Sequence, residues 1–229
     1  MTEGRVKLAV SLNGDDLLDV VTEQRIRAVE VAYGLPDKQR ILEGLTKHDA
    51  TVSGLAVNYV DVRDGRADIK SLVAEAKFWS TSLIVLQNCD EQDFKAVRAL
   101  DQQVERHGDV TFLIENHRLE RDYLIALFTV HGIEHLRLAL NPAELARMGV
   151  KPFLEAIYRS LLRHLVDLLY VADATRDGVA QFPGQGHAEI KEIVSILHAT
   201  GFDGPMVLRH DRNDLREAVR RSYRLLETM

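Results

Sequence analysis

A carboxylate and an imidazole lie two residues apart at the end of an apolar stretch, as Glu115 and His117 in the segment TFLIENHRLE. A carboxylate that follows a buried run needs a cation, a metal or hydrogen-bond donors to offset its desolvation. Glutamate and histidine are also side chains that enzymes use to move protons. The pair therefore predicts a functional site with Glu115 as a catalytic acid or base; the alternative is a structural carboxylate.

Polar residues also follow the other apolar stretches of the chain. If those stretches are the parallel strands of a barrel, their carboxyl ends meet at one mouth, where such side chains form a site. Strand alternation does not allow both Arg209 and His210 to point inward, and we favour Arg209. Asp173 and Asn141 are explained equally well as turn or helix-capping residues. The candidates chosen by position are Glu30, Asn58, Gln87, Asn141, Asp173, and Arg209 or His210.

The elements that must position these residues form a repeat. Eight times a short apolar or β-branched run precedes a longer stretch with helical spacing, including helices expected over residues 142–165 and 187–199. Such βα units predict a parallel sheet, and eight of them favour a closed (β/α)8 TIM barrel over an open doubly wound sheet. No linker rich in Ser, Pro or Gly interrupts the chain, so one domain over residues 1–229 is expected. The first loop, SLNGDD, has one glycine where a dinucleotide site needs three, which argues against a nicotinamide cofactor.

Composition narrows the range of partners. The net charge is −6 and no long run of Lys and Arg is present, so nucleic acid is not an expected partner. The amino-terminal segment MTEGRVKLAV does not resemble a signal peptide, and no stretch approaches about 18 uninterrupted apolar residues. The single cysteine, Cys89, excludes an intramolecular disulfide and a cysteine-based zinc site. These features predict a soluble, cytoplasmic protein that does not bind membranes.

Several segments, in this order, resemble the sugar phosphate isomerase/epimerase proteins with a xylose isomerase-like TIM barrel. They are VEVAYG on strand 2, LIENH on strand 5, LALNPAEL on strand 6, YVADA and FPGQGHAEI around strand 7, and the closing stretch LHATGFDGPMVLRHD. The likeness spans nearly the whole chain. It implies a manganese, magnesium or zinc ion at the barrel mouth, bound by a Glu on strand 5, an Asp on strand 6, a His on strand 7 and a Glu on strand 8.

Only the first of these four ligands is present, as Glu115. The other three positions match Asn141, Tyr170 and Arg209. A guanidinium at the strand 8 position repels a divalent metal, so we predict no metal and no other cofactor. A shift of one residue on strand 8 would place His210 inward instead, and only then is a manganese, magnesium or zinc ion expected.

The resemblance leads to three functional hypotheses. The first is a divergent isomerase or epimerase that acts on a small hydroxy-carbonyl compound, such as a sugar, sugar acid or sugar phosphate. Glu115 is its acid or base, Arg209 binds an anionic group in place of the metal, and Asp173 assists. The second is a non-catalytic sugar-binding or regulatory protein, in which Glu115 and Arg209 form a buried ion pair. The third, a DNA-repair endonuclease, is disfavoured by the acidic charge and the missing ligands.

The first hypothesis assigns substrate contacts to a wider ring of side chains at the mouth. Barrels of this family often pair into dimers or tetramers, so the resemblance also allows a homo-oligomer. The expected substrate-binding residues are Glu30, Asn58, Gln87, His117, Asn141, Tyr170, His187 and His210.

Overall fold

Eight parallel strands close into one barrel in the computed structural model, which describes residues 8–12, 17–89, 94–210 and 214–227. Strands that follow each other along the chain are neighbours, and the last barrel strand pairs with the first through Leu8 and Met206. The predicted (β/α)8 barrel is therefore confirmed. The barrel strands are β1 (Leu8–Leu12), β2 (Ala28–Ala32), β3 (Thr51–Asn58), β4 (Leu83–Gln87), β5 (Thr111–Glu115), β6 (Leu136–Leu140), β7 (Val166–Val171) and β10 (Met206–Leu208), and a two-stranded sheet of β8 (Asp173–Ala174) and β9 (Ala180–Gln181) lies between β7 and β10 in the chain.

Helices follow the barrel strands and cover their outer face. Most of them present an apolar side to the sheet, where residues such as Leu72 and Trp79 are fully buried. None of the helices in the described ranges is long and apolar enough to cross a membrane. The helices are α1 (Leu17–Gln24), α2 (Lys38–Lys47), α3 (Tyr59–Arg63), α4 (Ile69–Phe78), α5 (Phe94–Val104), α6 (Arg121–Thr129), α7 (Pro142–Arg147), a π-helix (Pro152–Tyr158), a 3-10 helix (Leu161–His164), α8 (Ile190–Ala199) and α9 (Leu215–Glu227).

Alternating strand residues fill the barrel interior with side chains. A Cβ atom at Gly54 on β3 would lie 3.8 Å from Val85 and 3.9 Å from Leu168, so the interior is narrow and closely packed. Because it is filled below the mouth, the polar residues that continue this inward series lie at the carboxyl ends of the strands. The apolar inward series includes Ala9, Val85, Leu113, Ala139, Leu168, Tyr170 and Val207.

Two expected helices differ from the structure. The helical segment expected over residues 142–165 is divided into three pieces, because α7 ends at Arg147 and Gly149 adopts a positive φ of 77°. The chain then resumes with the π-helix and the 3-10 helix. The helix expected from His187 begins at Ile190, since the residues before it form a loop bound to Asp173.

Candidate functional site

The inward polar side chains of six barrel strands converge at the mouth. Period-2 alternation places those that lie on strands two residues beyond an interior residue of the same strand, whereas Arg209 follows the end of β10, two residues beyond the interior residue Val207. Ser11 was not among the residues predicted from the sequence, although it continues the series begun by Ala9. The converging residues are Ser11, Glu30, Gln87, Glu115, Tyr170 and Arg209, and Asn141 joins them from the end of β6.

Glu115 and Arg209 form an ion pair at the centre of this group. Nη1 of Arg209 donates to Oε1 of Glu115 at 2.5 Å, and Nδ2 of Asn141 donates to the same oxygen at 2.8 Å. The second oxygen, Oε2, accepts a longer bond of 3.4 Å from the backbone N–H of Asn88. The Glu115 side chain is 1% exposed and that of Arg209 is 29% exposed. The carboxylate is therefore desolvated but compensated by a cation and an amide.

Asn116 fixes the strand end that carries this pair. Its side chain donates to the backbone oxygen of Asn141 at 3.0 Å and accepts from the Asn141 N–H at 2.6 Å. Asn116 is completely buried, so these two bonds lock the end of β5 to the end of β6. Asn116 was not predicted from the sequence, because alternation directs it away from the side of the strand that carries Glu115. Its position directly after Glu115 in LIENH was the feature that could have indicated it.

A second buried carboxylate, Glu30, lies behind the ion pair. Its Oε2 accepts from Ser11 Oγ at 2.6 Å and from Gln87 Nε2 at 3.1 Å, and its Oε1 accepts from Tyr170 OH at 2.6 Å. Arg209 Nη2 lies 3.8 Å from Oε2. Burial raises the pKa of Glu30 above its ordinary value of 4.5, although Arg209 and the hydroxyl donors act to lower it.

Arg209 also lies on an aromatic face. Its guanidinium carbon is 3.8 Å from the centre of the Tyr170 ring, a cation–π contact. Burial, and then the Glu30 carboxylate, raise the pKa of Tyr170 well above its ordinary value, so the phenol stays protonated and donates to Glu30. Burial acts to lower the pKa of Arg209, but its neighbours Tyr170, Glu115 and Glu30 raise it overall. The guanidinium therefore remains charged.

A cavity of about 290 Å³ opens in front of the ion pair. His117 and His210 line it, as do Glu144 and Arg147 of α7. Glu144 accepts from Arg147 Nη1 at 2.5 Å and lies 3.2 Å from His117 Nδ1. His210 lies at the rim, where its ring stacks on Phe182 at 4.8 Å between ring centres.

Both Arg209 and His210 line the cavity, although alternation along a strand excludes that. The strand β10 ends at Leu208, so the rule no longer applies to the two residues that follow it. Glu144 and Arg147 were not predicted from the sequence as site residues. They follow the strand end by a helical turn, and no strand pattern indicates where such residues point.

Asp173 lies at the edge of the cavity, but its carboxylate is occupied by backbone donors. Oδ2 accepts from Gly184 and Gly186 at 2.9 Å, and Oδ1 accepts from Ala174 at 2.9 Å and Ala188 at 3.0 Å. With four donors on its two oxygens, Asp173 is placed to hold the loop between β7 and α8. This placement favours the capping interpretation over a role as acid or base.

Two predicted substrate-binding residues do not join the cluster. Asn58 is exposed and caps α3, where its side chain accepts from the Val60 N–H at 3.2 Å. His187 is exposed in the loop before α8, and its backbone N–H donates to Ala174 at 2.8 Å. The other predicted residues, Glu30, Gln87, Glu115, His117, Asn141, Tyr170, Arg209 and His210, lie in the cluster or line the cavity.

The side chains at the implied ligand positions do not fit a divalent metal. Glu115 bonds directly to Arg209, whose guanidinium also covers Tyr170. Within the described ranges, no group of three or more His, Cys, Asp or Glu side chains could hold a metal ion. One carboxylate facing a fixed guanidinium is not the oxygen-rich, anionic ligand set that such ions require.

A second cavity of about 360 Å³ lies at the opposite end of the barrel, near the starts of the strands. It is lined partly by Arg137 and Asp167, which bond to each other at 3.0 and 3.1 Å. Functional residues of TIM barrels lie at the carboxyl ends of the strands. The smaller cavity beside Glu115 is therefore the candidate site.

Solved structures with the same fold include several sugar-related proteins. A xylose isomerase domain protein from Planctomyces limnophilus superposes with a TM-score of 0.76 and 16% identity over 97% of both chains. A probable 3-DHS dehydratase involved in petrobactin synthesis from Bacillus anthracis gives 0.72 and 12% over 97% of this chain and 99% of its own. The 3-keto-D-glucoside 4-epimerase of E. coli gives 0.70 and 15% over 98% of this chain and 100% of its own. The xylose isomerase-like TIM barrel predicted from the sequence is therefore confirmed as the fold.

Sequence comparison adds no closer assignment. No protein-family model matches the chain, and no curated protein matches it.

Proposed function

We propose that this protein catalyses an isomerase- or epimerase-type proton transfer on a small hydroxy-carbonyl compound, such as a sugar acid or sugar phosphate, without a bound metal. One observation supports this proposal above the others. The two oxygens of Glu115 have unequal environments, and the carboxylate lines the mouth cavity. A carboxylate held in this way has one oxygen for orientation and one for chemistry.

The unequal environments follow from the donors that the described residues supply. Oε1 is committed to Arg209 at 2.5 Å and Asn141 at 2.8 Å, whereas Oε2 receives one weak bond of 3.4 Å from Asn88. A general base must bring an oxygen within hydrogen-bond reach of the carbon-bound proton that it removes. Oε2 suits that role, because a substrate in the cavity competes there with a single long contact.

Arg209 supplies the positive charge that such a reaction needs. Removal of a proton beside a carbonyl places negative charge on the carbonyl oxygen, and a fixed cation next to the base stabilises it. The guanidinium has five N–H donors, so its bond to Glu115 does not exhaust it. Its stack on Tyr170 and its contact with Glu30 fix its position before the substrate binds. Charge stabilisation of this kind is strongest when it requires no rearrangement.

The rest of the cavity suits a polar, anionic ligand. His117, His210 and Arg147 line it, whereas Glu144 and Asp173 are occupied by donors of the protein. Arg147 gives one of its five N–H groups to Glu144, so its other N–H groups can donate to a ligand in the cavity. A carboxylate or phosphate on a sugar-sized compound matches that lining. The fold is also used by a sugar epimerase, but a shared fold alone does not establish function.

A second candidate is a sugar-binding protein without catalytic activity. The observation that favours it is the direct bond between Arg209 and Glu115, since the two charges neutralise each other before any ligand arrives. A carboxylate oxygen that is already bound to a cation is less available to remove a proton from a substrate. In this case the same cavity binds the ligand, and the ion pair only shapes its floor.

Proton exchange with solvent distinguishes the two candidates. Sugar acids and sugar phosphates that raise the thermal midpoint are incubated with the protein in D2O, and deuterium at the carbon beside the carbonyl is measured by NMR. We expect exchange with the unmodified protein and none with Glu115→Gln, while the thermal shift by the ligand persists. The matched control is Glu217→Gln on α9, far from the cavity lining, which should exchange normally. Binding without exchange favours the second candidate, and exchange that survives in Glu115→Gln would contradict the proposal.

A further inference from the structure

We infer that the barrel mouth is a cation cradle whose occupant is supplied by the chain itself. Glu30, Glu115 and the Tyr170 ring surround one guanidinium, that of Arg209. This inference concerns what the cluster binds, and it does not depend on whether the protein is an enzyme. It implies that the cluster will take up an external cation once the guanidinium is removed.

Two buried carboxylates facing one cation are the main support. Glu30 is 0% exposed and Glu115 is 1% exposed, and they lie 3.8 and 2.5 Å from the two terminal nitrogens of Arg209. Buried carboxylates without a compensating charge are strongly unfavourable. The two come from β2 and β5, and Arg209 follows β10, so three separate parts of the barrel are directed at one positive charge.

The cradle also contains neutral oxygen atoms. Ser11 Oγ and Tyr170 OH both lie 2.6 Å from Glu30. Asn141 Oδ1 is buried and accepts no hydrogen bond from the described residues, although the Nδ2 of the same amide bonds to Glu115. Nη2 of Arg209 is likewise a buried donor with no hydrogen-bond partner in the described part of the chain. Arg209 thus supplies one positive charge to two carboxylates, and the Asn141 oxygen accepts no hydrogen bond from the described residues.

Removal of the guanidinium changes what the cradle attracts. The Arg209→Ala substitution leaves the Glu30 and Glu115 carboxylates and the Tyr170 ring around the volume that the guanidinium occupied. The Asn141 amide and the Ser11 and Tyr170 hydroxyls bond to those two carboxylates. Oxygen ligands with two negative charges suit a hard divalent ion such as manganese. The same volume, lined by Tyr170, suits a small organic cation such as methylguanidinium. The unmodified protein has no room for either, because its own side chain occupies the place.

The test measures cation binding rather than activity. Chelator-treated unmodified protein, Arg209→Ala and the double variant Arg209→Ala with Glu30→Gln are titrated with manganese chloride, and separately with methylguanidinium chloride at matched ionic strength. Binding is followed by calorimetry and by the thermal midpoint. We expect no response from the unmodified protein and a rise of about 4 °C or more in Arg209→Ala with at least one of the two cations. The double variant should bind the same cation with an affinity at least tenfold lower.

Two outcomes would contradict the inference, and a substitute variant is needed if Arg209→Ala does not fold. One equivalent of manganese bound by the unmodified protein would overturn it, as would a folded Arg209→Ala that responds to neither cation. If Arg209→Ala does not fold, the triple variant Arg209→Met, Glu30→Gln, Glu115→Gln, whose cradle has no charge to compensate, is expected to fold. A triple variant that also fails to fold would overturn the inference.

Discussion

Three donors compete for one carboxylate at the end of β5. Arg209 makes the shortest bond to Glu115, Asn141 shares the same oxygen, and the Asn88 N–H reaches the other oxygen at a longer distance. A charged donor to a buried carboxylate makes a stronger bond than a neutral amide. Arg209 therefore contributes most of the compensation for burying Glu115, and the two residues should behave as one unit in mutational tests.

The Glu115→Ala substitution should destabilise the protein by about 3 kcal/mol. It leaves the partly buried guanidinium of Arg209 without its short ion pair, so that the 3.8 Å contact to Glu30 and the stack on Tyr170 remain. Urea unfolding measures the loss, and Glu217→Ala, which removes a partly exposed carboxylate within α9, serves as a control that should change little. Since Glu115 and Arg209 act as a unit, adding Arg209→Met should recover part of the lost stability. An unchanged midpoint in Glu115→Ala would contradict a compensating role for the ion pair.

The sequence indicated residues that continue a strand pattern and missed those that do not. Glu115 and Gln87 each end an apolar run in the inward series, so alternation alone places them at the mouth. Asn116 lies out of that series, and Glu144 lies on a helix, so their side-chain directions depend on packing. Asn58 shows the opposite error, because the helix α3 that follows it offers a capping position that its side chain takes instead.

The loop between β7 and α8 is organised by one side chain. Asp173 accepts four backbone N–H groups from residues 174 to 188, and the short strands β8 and β9 pair within the same segment. Ala180 and Asp173 both line the cavity, so the position of this loop determines one wall of it. The sequence identified Asp173 as a strand-end polar residue but not its donors, three of which lie 11 to 15 residues further along the chain and follow no pattern.

Gly186→Ala should disturb this loop. A Cβ atom there would lie 2.3 Å from Asp173 Oδ1 and 2.6 Å from the backbone oxygen of Ala174. Both distances are shorter than van der Waals contact, so the two oxygen atoms would have to move. We expect a loss of about 1–3 kcal/mol and faster hydrogen exchange of the loop amides bonded to Asp173. The matched control is Gly108→Ala, where an added Cβ meets nothing within 4 Å. Equal exchange rates in the two variants would show that Asp173 does not hold the loop.

Helix boundaries were less predictable than strands, because apolar spacing does not show where the backbone bends. The apolar spacing continues from Pro142 through Leu165, but Gly149 takes a left-handed conformation that ends α7 within that span. Spacing reports which face of a segment is buried and carries no information on whether its backbone bends. The strands were recovered because each is short and buried on both faces by the barrel, so hydrophobicity alone identifies them.

The buried charges at the barrel mouth form one group in which a guanidinium compensates carboxylates. The chain has a net charge of −6, while the cluster at the mouth pairs Glu115 with Arg209 and adds Glu30 behind them. Glu30 is the carboxylate of this cluster whose pKa is raised, chiefly by burial. Ser11 of β1, Tyr170 of β7, Arg209 after β10 and Glu115 of β5 are the groups that influence it. Its protonation should therefore affect the stability of the barrel as a whole.

Glu30→Gln should change the pH dependence of unfolding in a defined direction. A carboxyl whose pKa is higher in the folded than in the unfolded state contributes stability below its unfolded value, here 4.5, and loses it as pH rises through the folded value. The glutamine variant lacks this loss, so its thermal midpoint minus that of the unmodified protein should increase from pH 4.5 upward. The constant offset from a weakened contact with Arg209 does not alter that slope.

Glu217 serves as a reference for the pH dependence, because its pKa is shifted in the opposite direction. Hydrogen bonds from Arg221 and Arg220 lower the pKa of Glu217, so its contribution is present above the unfolded value and is lost as pH falls. The difference for Glu217→Gln should therefore be small and should not increase with pH. A flat difference for Glu30→Gln between pH 4.5 and 8 would mean that Glu30 titrates alike in the folded and unfolded states. Burial behind Arg209 would then have no net effect on the protonation of Glu30, and the only charge pair left in the cluster would be Glu115 and Arg209.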